Sequence, residues 1–367
     1  MNASDRVVGK CMGAVRARLR AGAVLASVLA AQLTAAALPA AASAHGPVAP
    51  LASSYLAKVS SVPAGLDAKV VDGDQRMWLQ VPAGTPVIVL DYTGAPYLRF
   101  SRGGVEINRN SAMYFLNQTP IAQTPPPGLT ASTRPSWQQV SGGHQYGWHD
   151  GRLHALATVA LPAGVTFAGR WRVPLLVDGR PDAIAGGLWR SRDPSIVWFW
   201  PIVVALACVL AARRLRRPQL DARVARVLGI ATLLAFAVAA AGRQLHGRPA
   251  VSALQLIELA LMLAFVAWGL RRVLWQRPGY FAYFVIAFAA LWEGLELIPT
   301  LTHGFVLIAL PAALARVSAV VCLGGGGGLL TLVFRLAERR DPAAHDAPLG
   351  ELEGELEGED DASWELA

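Results

Sequence analysis

The chain has 367 residues, of which 54% are hydrophobic and 16% charged, with a formal net charge of +8. A soluble globular chain carries about 25% charged residues, and a disordered one is poor in apolar residues. The composition therefore excludes a disordered chain and argues against an ordinary soluble enzyme. The charge is uneven: residues 341–367 hold ten acids and no Lys or Arg, so the other residues carry 33 cations against 15 acids.

Residues 1–44 read as a secretory signal peptide. Arg16, Arg18 and Arg20 precede an apolar run from Ala21 to Leu38, and Ala42-Ser43-Ala44 matches a small-residue cleavage pattern. Cleavage there would make His45 the new N-terminus; an uncleaved first transmembrane helix is the other reading.

Residues 45–193 are expected to form an extracytoplasmic β-sandwich. Strands are predicted at Tyr55–Val62, Ala68–Val71, Met77–Val81, Val87–Tyr92, Tyr97–Phe100, Val105–Asn108, Leu153–Leu161, Val165–Val177 and Ala183–Trp189. Turn signals such as Asp72-Gly73, Thr93-Gly94, Asp150-Gly151 and Asp178-Gly179 separate them. Pro125 to Trp137 reads as a polar, Pro-rich loop. Pro174 marks its strand as an edge or a bulge. The three cysteines, Cys11, Cys208 and Cys322, all fall outside this region, so no disulfide staples it.

Residues 194–336 are expected to be a helical bundle of five spans: Ile196–Ala212, Val224–Ala241, Val251–Leu270, Tyr280–Ile298 and a last run Phe305–Phe334, whose span lies near Ala315–Phe334. Arginines cluster after the first, third and fifth runs (Arg213, Arg214, Arg216, Arg217; Arg271, Arg272, Arg277; Arg335, Arg339, Arg340). The positive-inside rule then places the β-rich region outside and the C-terminus in the cytoplasm of a multi-pass plasma-membrane protein. The basic excess is a topology signal, so the lipid bilayer is the expected partner and nucleic acid is not. Residues 337–367 read as a disordered acidic tail, and Glu351 to Glu365 could recruit a protein partner. The whole is an all-β sandwich ectodomain plus an α-helical transmembrane bundle.

Two constellations carry possible chemistry. His144, His149 and His154 fall within eleven residues, with Asp150 among them. Imidazoles and a carboxylate converging at a turn can bind Cu or Zn, and a free N-terminal His45 would favour copper. His149 and Asp150 are adjacent and would face opposite ways in a strand, but a turn at Asp150-Gly151 relaxes that limit. In the competing reading Trp148 packs, Asp150 caps the turn and the histidines bond to carbonyls. The second constellation is intramembrane: Glu258, Glu293, Glu296, His303 and Arg316. Glu293, Glu296, Thr300 and His303 are spaced along one helical face. A Glu–Arg pair holding the bundle, a proton or cation site, and a wet outer rim are the three readings. The five glycines Gly324–Gly328 allow close helix packing.

The stretches Val71–Arg76, Pro96–Phe100, Trp148–His154 and Trp171–Pro181 resemble a family of actinobacterial membrane proteins with a signal peptide, a β-rich ectodomain and C-terminal transmembrane helices. That resemblance implies this architecture and no particular activity. The family often has His where this chain has Gly151, which removes one potential ligand. Tyr55–Gly65, following His45, resembles the start of periplasmic copper-resistance C proteins, β-sandwiches that bind copper through an N-terminal His. No Walker loop, dinucleotide fingerprint, Gly-x-Ser-x-Gly elbow or His-Glu-x-x-His motif occurs, so a non-enzymatic role is expected. The leading expectation is a ligand-binding envelope protein that handles copper or another metal. The alternative is an envelope scaffold acting through its ectodomain and acidic tail.

Overall fold

The computed structural model describes residues 50–118, 122–215, 217–247, 249–275 and 279–338. The signal segment, His45 and the acidic tail lie outside the described residues.

The N-terminal half is β-rich and its ladders are antiparallel. Its elements are β1 (Ala52–Ser53), β2 (Tyr55–Ser61), β3 (Asp67–Val71), β4 (Arg76–Gln80), β5 (Val87–Leu90), β6 (Pro96–Ser101), β7 (Gly104–Asn108), a short helix α1 (Ala112–Leu116), β8 (Trp137–Ser141), β9 (Gln145–His149), β10 (Phe167–Val177) and β11 (Arg180–Arg190). Seven strands form one sheet in the order β2-β11-β10-β5-β6-β7-β8, and β3-β4-β9 form a second. Alternation along the strands buries Met77 and Leu79 from β4, Trp148 from β9, Val87 and Val89 from β5, and Leu98 and Phe100 from β6. These side chains make up much of the core.

Three local expectations are corrected. Leu153–Leu161 contains no strand; it is occupied by 3₁₀ turns at Gly151–Leu153 and Ala155–Thr158. The stretch before it supplies two strands that were not predicted, β8, which begins at Trp137 where the Pro-rich loop was expected to end, and β9. The strand that holds Pro174 is interior and so not an edge, but it is bulged, at Phe167/Gly169. Proline is tolerated there because β5 pairs only with Leu175–Val177, so Pro174 lies just past the end of that ladder.

The C-terminal half is helical: α2 (Trp200–Arg214), α3 (Pro218–Gln244), α4 (Ala253–Trp275), α5 (Tyr280–Glu296), a one-turn α6 (Ile298–Thr302), a two-residue strand β12 (Phe305–Val306) and α7 (Ala312–Glu338). Three stretches are long and apolar enough to cross a membrane: Gln219–Gln244, Ala253–Trp275 and Ala312–Phe334. They mark a membrane protein. The expected five spans are reduced to three of spanning length, and prolines account for the difference. Pro201 has no N–H and fits only the first helical turn, so Ile196–Phe199 is 3₁₀ and α2 is 15 residues long. Pro299 likewise opens α6, so α5 stops after 17 residues.

The pentaglycine sits on α7, and each glycine admits a neighbour. A Cβ on Gly324 or Gly327 would meet Ala205 or Leu206 of α2. One on Gly325 would strike Thr232 of α3, and one on Gly326 would meet Leu291 and the Ala287 carbonyl of α5 at 3.0–3.1 Å. The run therefore lets three helices approach α7 at once, which is the close packing that small residues permit.

The two halves are joined by more than the covalent link. β1 pairs with β12, Ala52 opposite Val306 and Ser53 opposite Phe305. The segment expected as an interfacial approach to the last span thus reaches the first strand of the β-rich region. A cluster of Leu297, Leu301, Ile308 and Ala315 packs beneath it, with Leu51 and Val306 against its edge.

Candidate functional site at the histidine edge

The register of β4 and β9 builds this site. Met77 stands opposite Trp148, and Arg76 opposite His149. Trp148 is fully buried, so the next residue, His149, faces outward. The Asp150 amide donates to the Gln75 carbonyl at 3.0 Å, and the chain then turns. Leu153 is buried at the base of that turn. His154 follows and returns toward the strand, its ring centre 5.5 Å from that of His149 at an interplanar angle of 57°. The Nδ1 atom of His154 is buried and has no hydrogen-bond partner.

Asp150 does not share that environment. Its side chain is fully buried and its oxygens accept from Trp148 Nε1 at 2.9 Å, Arg152 Nε at 2.8 Å and Arg152 Nη2 at 2.7 Å. It also accepts from the Arg152 amide, as the cap of the 3₁₀ turn. Arg152 in turn donates to the Leu90 carbonyl at 3.0 Å and lies over the Tyr92 ring. Gly151 gives its amide to the Tyr92 hydroxyl at 2.7 Å, and a Cβ there would stand 3.0 Å from that oxygen. A side chain at position 151 would therefore crowd Tyr92. His144 lies at the opposite end of β9, five residues and about 16 Å from His149. His149 and His154 come together; His144 does not join them.

Sequence reasoning missed a carboxylate. Asp74 lies in the turn between β3 and β4 and is 7% exposed. Burial raises its pKa, and the charge of His154 opposes that rise. Partial burial of the His149 ring lowers its pKa, and His154 and Arg76 add to this while Asp150 opposes it. The signal for Asp74 was present in the acidic turn Asp72-Gly73-Asp74, but nothing local tied it to a residue 80 positions away. Among the described residues no group of three or more His, Cys, Asp or Glu is arranged to hold a metal ion.

The intramembrane residues separate into distinct settings. Glu293 is 2% exposed on its side chain and accepts from Arg243 Nη1 at 2.8 Å. The Glu–Arg pair exists, but its cation is Arg243 of α3. Arg316 instead donates to the carbonyls of Thr300 at 2.9 Å, His303 at 3.3 Å and Gly304 at 3.4 Å, and lies over the Trp198 ring. His303 Nδ1 lies 2.9 Å from the Thr302 hydroxyl and 3.1 Å from the Pro299 carbonyl. Glu296 is half-buried and lines a shallow groove with Trp292, Leu295 and Pro299, and Glu258 is half-buried on α4. Glu293 and Glu296 thus share a helix but not an environment, and the break at Leu297 removes Thr300 and His303 from that helix.

Compared with known proteins, the chain matches no family model, and no curated protein or solved structure is similar to it.

Proposed function

We propose that this is a multi-pass plasma-membrane protein whose β-rich domain lies outside the cell and binds a transition-metal ion through His149 and His154. The arginine pattern supports the orientation, because Arg271 and Arg272 close α4 at one end of the bundle and Arg213 and Arg214 close α2. Tryptophans at helix ends suit a bundle that meets both membrane interfaces, though they do not set its orientation: Trp200 opens α2, Trp292 lies near the end of α5, and Trp275 closes α4, each more than half exposed.

The observation that carries the ligand reading is the imidazole pair. Two imidazoles on one metal, each with a metal–nitrogen bond of about 2.0–2.1 Å, hold their ring centres about 5 Å apart. His149 and His154 stand at 5.5 Å, and Nδ1 of His154 has no other partner. A lowered His149 pKa keeps that ring neutral and able to coordinate near pH 7. Two nitrogen donors with open positions suit Cu(II) or Zn(II), and copper heads the affinity order.

The test is Cu(II) and Zn(II) binding to the purified full-length protein. One ion per chain is expected. The His149→Ala, His154→Ala double variant should weaken it at least about tenfold, and His144→Ala should leave it unchanged. Equal affinity in the double variant and the wild type would overturn the assignment.

A further inference from the structure

The outward face of the seven-stranded sheet carries an aromatic and cationic corner on β2, β11 and β10. Pairing sets Leu56, Trp189 and Phe167 in one row across these strands, and Lys58, Gly187 and Arg170 in another two residues further along. Ala57, Leu188 and Trp171 are buried in the core, so Leu56, Lys58, Trp189 and Arg170 beside them turn outward. The Phe167 and Trp189 rings lie 5.3 Å apart and cover Gly187, where a Cβ would strike both. Lys58 Nζ stands 5.6 Å from the Trp189 ring centre. Phe167 is 42% exposed, and Lys58, Arg170 and Arg172 are exposed. The three strands carry a single acid, Asp182, which is seven residues and about 23 Å along β11 from Trp189.

This corner lies at the end of the sheet next to the helical bundle. β11 stops at Arg190, the Ser191 amide donates to the Ser54 carbonyl at 2.9 Å, and a Cβ on Gly304 would strike Ser191. Arg316, which donates to the Gly304 carbonyl, lies over Trp198 in the 3₁₀ turn that leads into α2. Ile196 and Val197 of that turn are 77% and 61% exposed, and Trp200 after it is 62% exposed. Apolar and aromatic side chains bared at the head of a membrane bundle mark the lipid interface. Arg190 and Arg192 are exposed between that turn and the aromatic row, and Asp193 accepts from Ser54 Oγ at 3.0 Å. The cationic row stands about 7 Å beyond the aromatic row, a step that matches a headgroup layer about 5–7 Å deep.

We propose that this corner of the β-rich domain docks on the leaflet it faces and binds anionic phospholipid headgroups. Phe167 and Trp189 rest at the base of the headgroup layer, and Lys58 and Arg170 take the phosphates. Charge complementarity selects this occupant: Lys58, Arg170, Arg190 and Arg192 face it with Asp193 as the one acid among them. The membrane that the same chain enters supplies it at once. Basic side chains near an anionic leaflet are drawn to it, and amphipathic rings settle at headgroup level. The docking rests on the bundle crossing a bilayer and is independent of the metal site.

The test is amide hydrogen exchange on the full-length protein in nanodiscs of phosphatidylcholine alone and of phosphatidylcholine with an equal share of phosphatidylglycerol. Residues 54–61 and 165–172 report the corner, and residues 96–108, on β6 and β7, are the control. Phosphatidylglycerol should slow the corner amides about fivefold or more, the worth of one basic side chain at an anionic surface, and leave the control unchanged. NaCl at about 1 M, where the Debye length is about 3 Å, should abolish the difference. The Lys58→Glu, Arg170→Glu double variant should abolish it too, while Lys58→Arg, Arg170→Lys should keep it. Thermal unfolding confirms that each variant is folded. Equal exchange in the two lipids, or protection that survives the charge reversal, would overturn the docking. The same protection from inorganic phosphate in phosphatidylcholine discs would overturn a lipid as the occupant. A chain that does not co-elute with the discs would overturn the membrane reading, and the docking with it.

Discussion

Arg243 and Glu293 are 50 residues apart in the chain and 2.8 Å apart between α3 and α5, with the carboxylate 2% exposed. Removing one member of a buried pair strands the other charge, at a cost of about 3–5 kcal/mol. Arg243→Ala is therefore expected to lower the unfolding temperature of the solubilised protein sharply. Replacing both residues with Leu should recover most of the loss, because no charge then remains buried. A double variant no better than Arg243→Ala would show that the pair is not what holds these helices.

The pentaglycine predicts a graded series. In Gly325→Ala the new methyl collides with the Thr232 hydroxyl, and in Gly326→Ala it meets α5 backbone. Both should destabilise by about 1–3 kcal/mol, as overpacking does. Gly327→Ala meets only the tip of Leu206 at 3.0 Å, and alanine favours a helix by up to about 1 kcal/mol, so it should be neutral or stabilising. Because Thr232 Oγ1 is the obstacle, Thr232→Ala should rescue Gly325→Ala. Thermal unfolding of the four variants measures this.

Asp150 is expected to act in stability and not in metal affinity. Arg152→Ala leaves a fully buried carboxylate with the Trp148 indole as its remaining side-chain partner, and should cost about 3–5 kcal/mol. Asp150→Asn should also unfold earlier, yet bind Cu(II) as the wild type does once folded. A selective loss of Cu(II) affinity in Asp150→Asn would return it to the ligand set.

The lowered pKa of His149 sets a pH dependence for the metal-free protein. Its neutral form is favoured in the folded state, by desolvation first and then by repulsion from His154 and Arg76. That contribution is complete above the unfolded-state pKa of about 6.5 and is lost as pH falls through that value toward the lower folded pKa. Asp74 has the opposite sign: burial raises its pKa, so its ionisation weakens the fold at neutral pH, and this penalty is relieved as pH falls through the raised folded pKa and is gone below the unfolded value of about 3.9. In chelator, unfolding temperature should fall between pH 7.5 and 5.5, and His149→Gln should flatten that fall. Asp74→Asn should stabilise the protein at pH 7.

The legible parts of the sequence were those that repeat. The apolar runs announced the helices, and β-former-rich segments between turn signals announced β2 to β7, β10 and β11. β9 alternates too, with Tyr146 and Trp148 inside and His149 outside, but the histidine cluster was read for its ligand chemistry beside the Asp150-Gly151 turn and not as a strand. The ends of α2 and α5 followed Pro201 and Pro299 and not hydropathy. The site was half legible: the histidine spacing pointed to it, but pairing depends on the 3₁₀ turn that brings His154 back to His149 and carries His144 away. Arg243 reaches Glu293 only through a tertiary contact, across helix faces that no local pattern encodes.

The most direct measurement is electron paramagnetic resonance of Cu(II) added to the full-length protein at one equivalent. The account predicts a single bound species with nitrogen couplings from two imidazoles, lost in the His149→Ala, His154→Ala double variant and unaltered in His144→Ala. The same nitrogen-coupled spectrum in the double variant would contradict it.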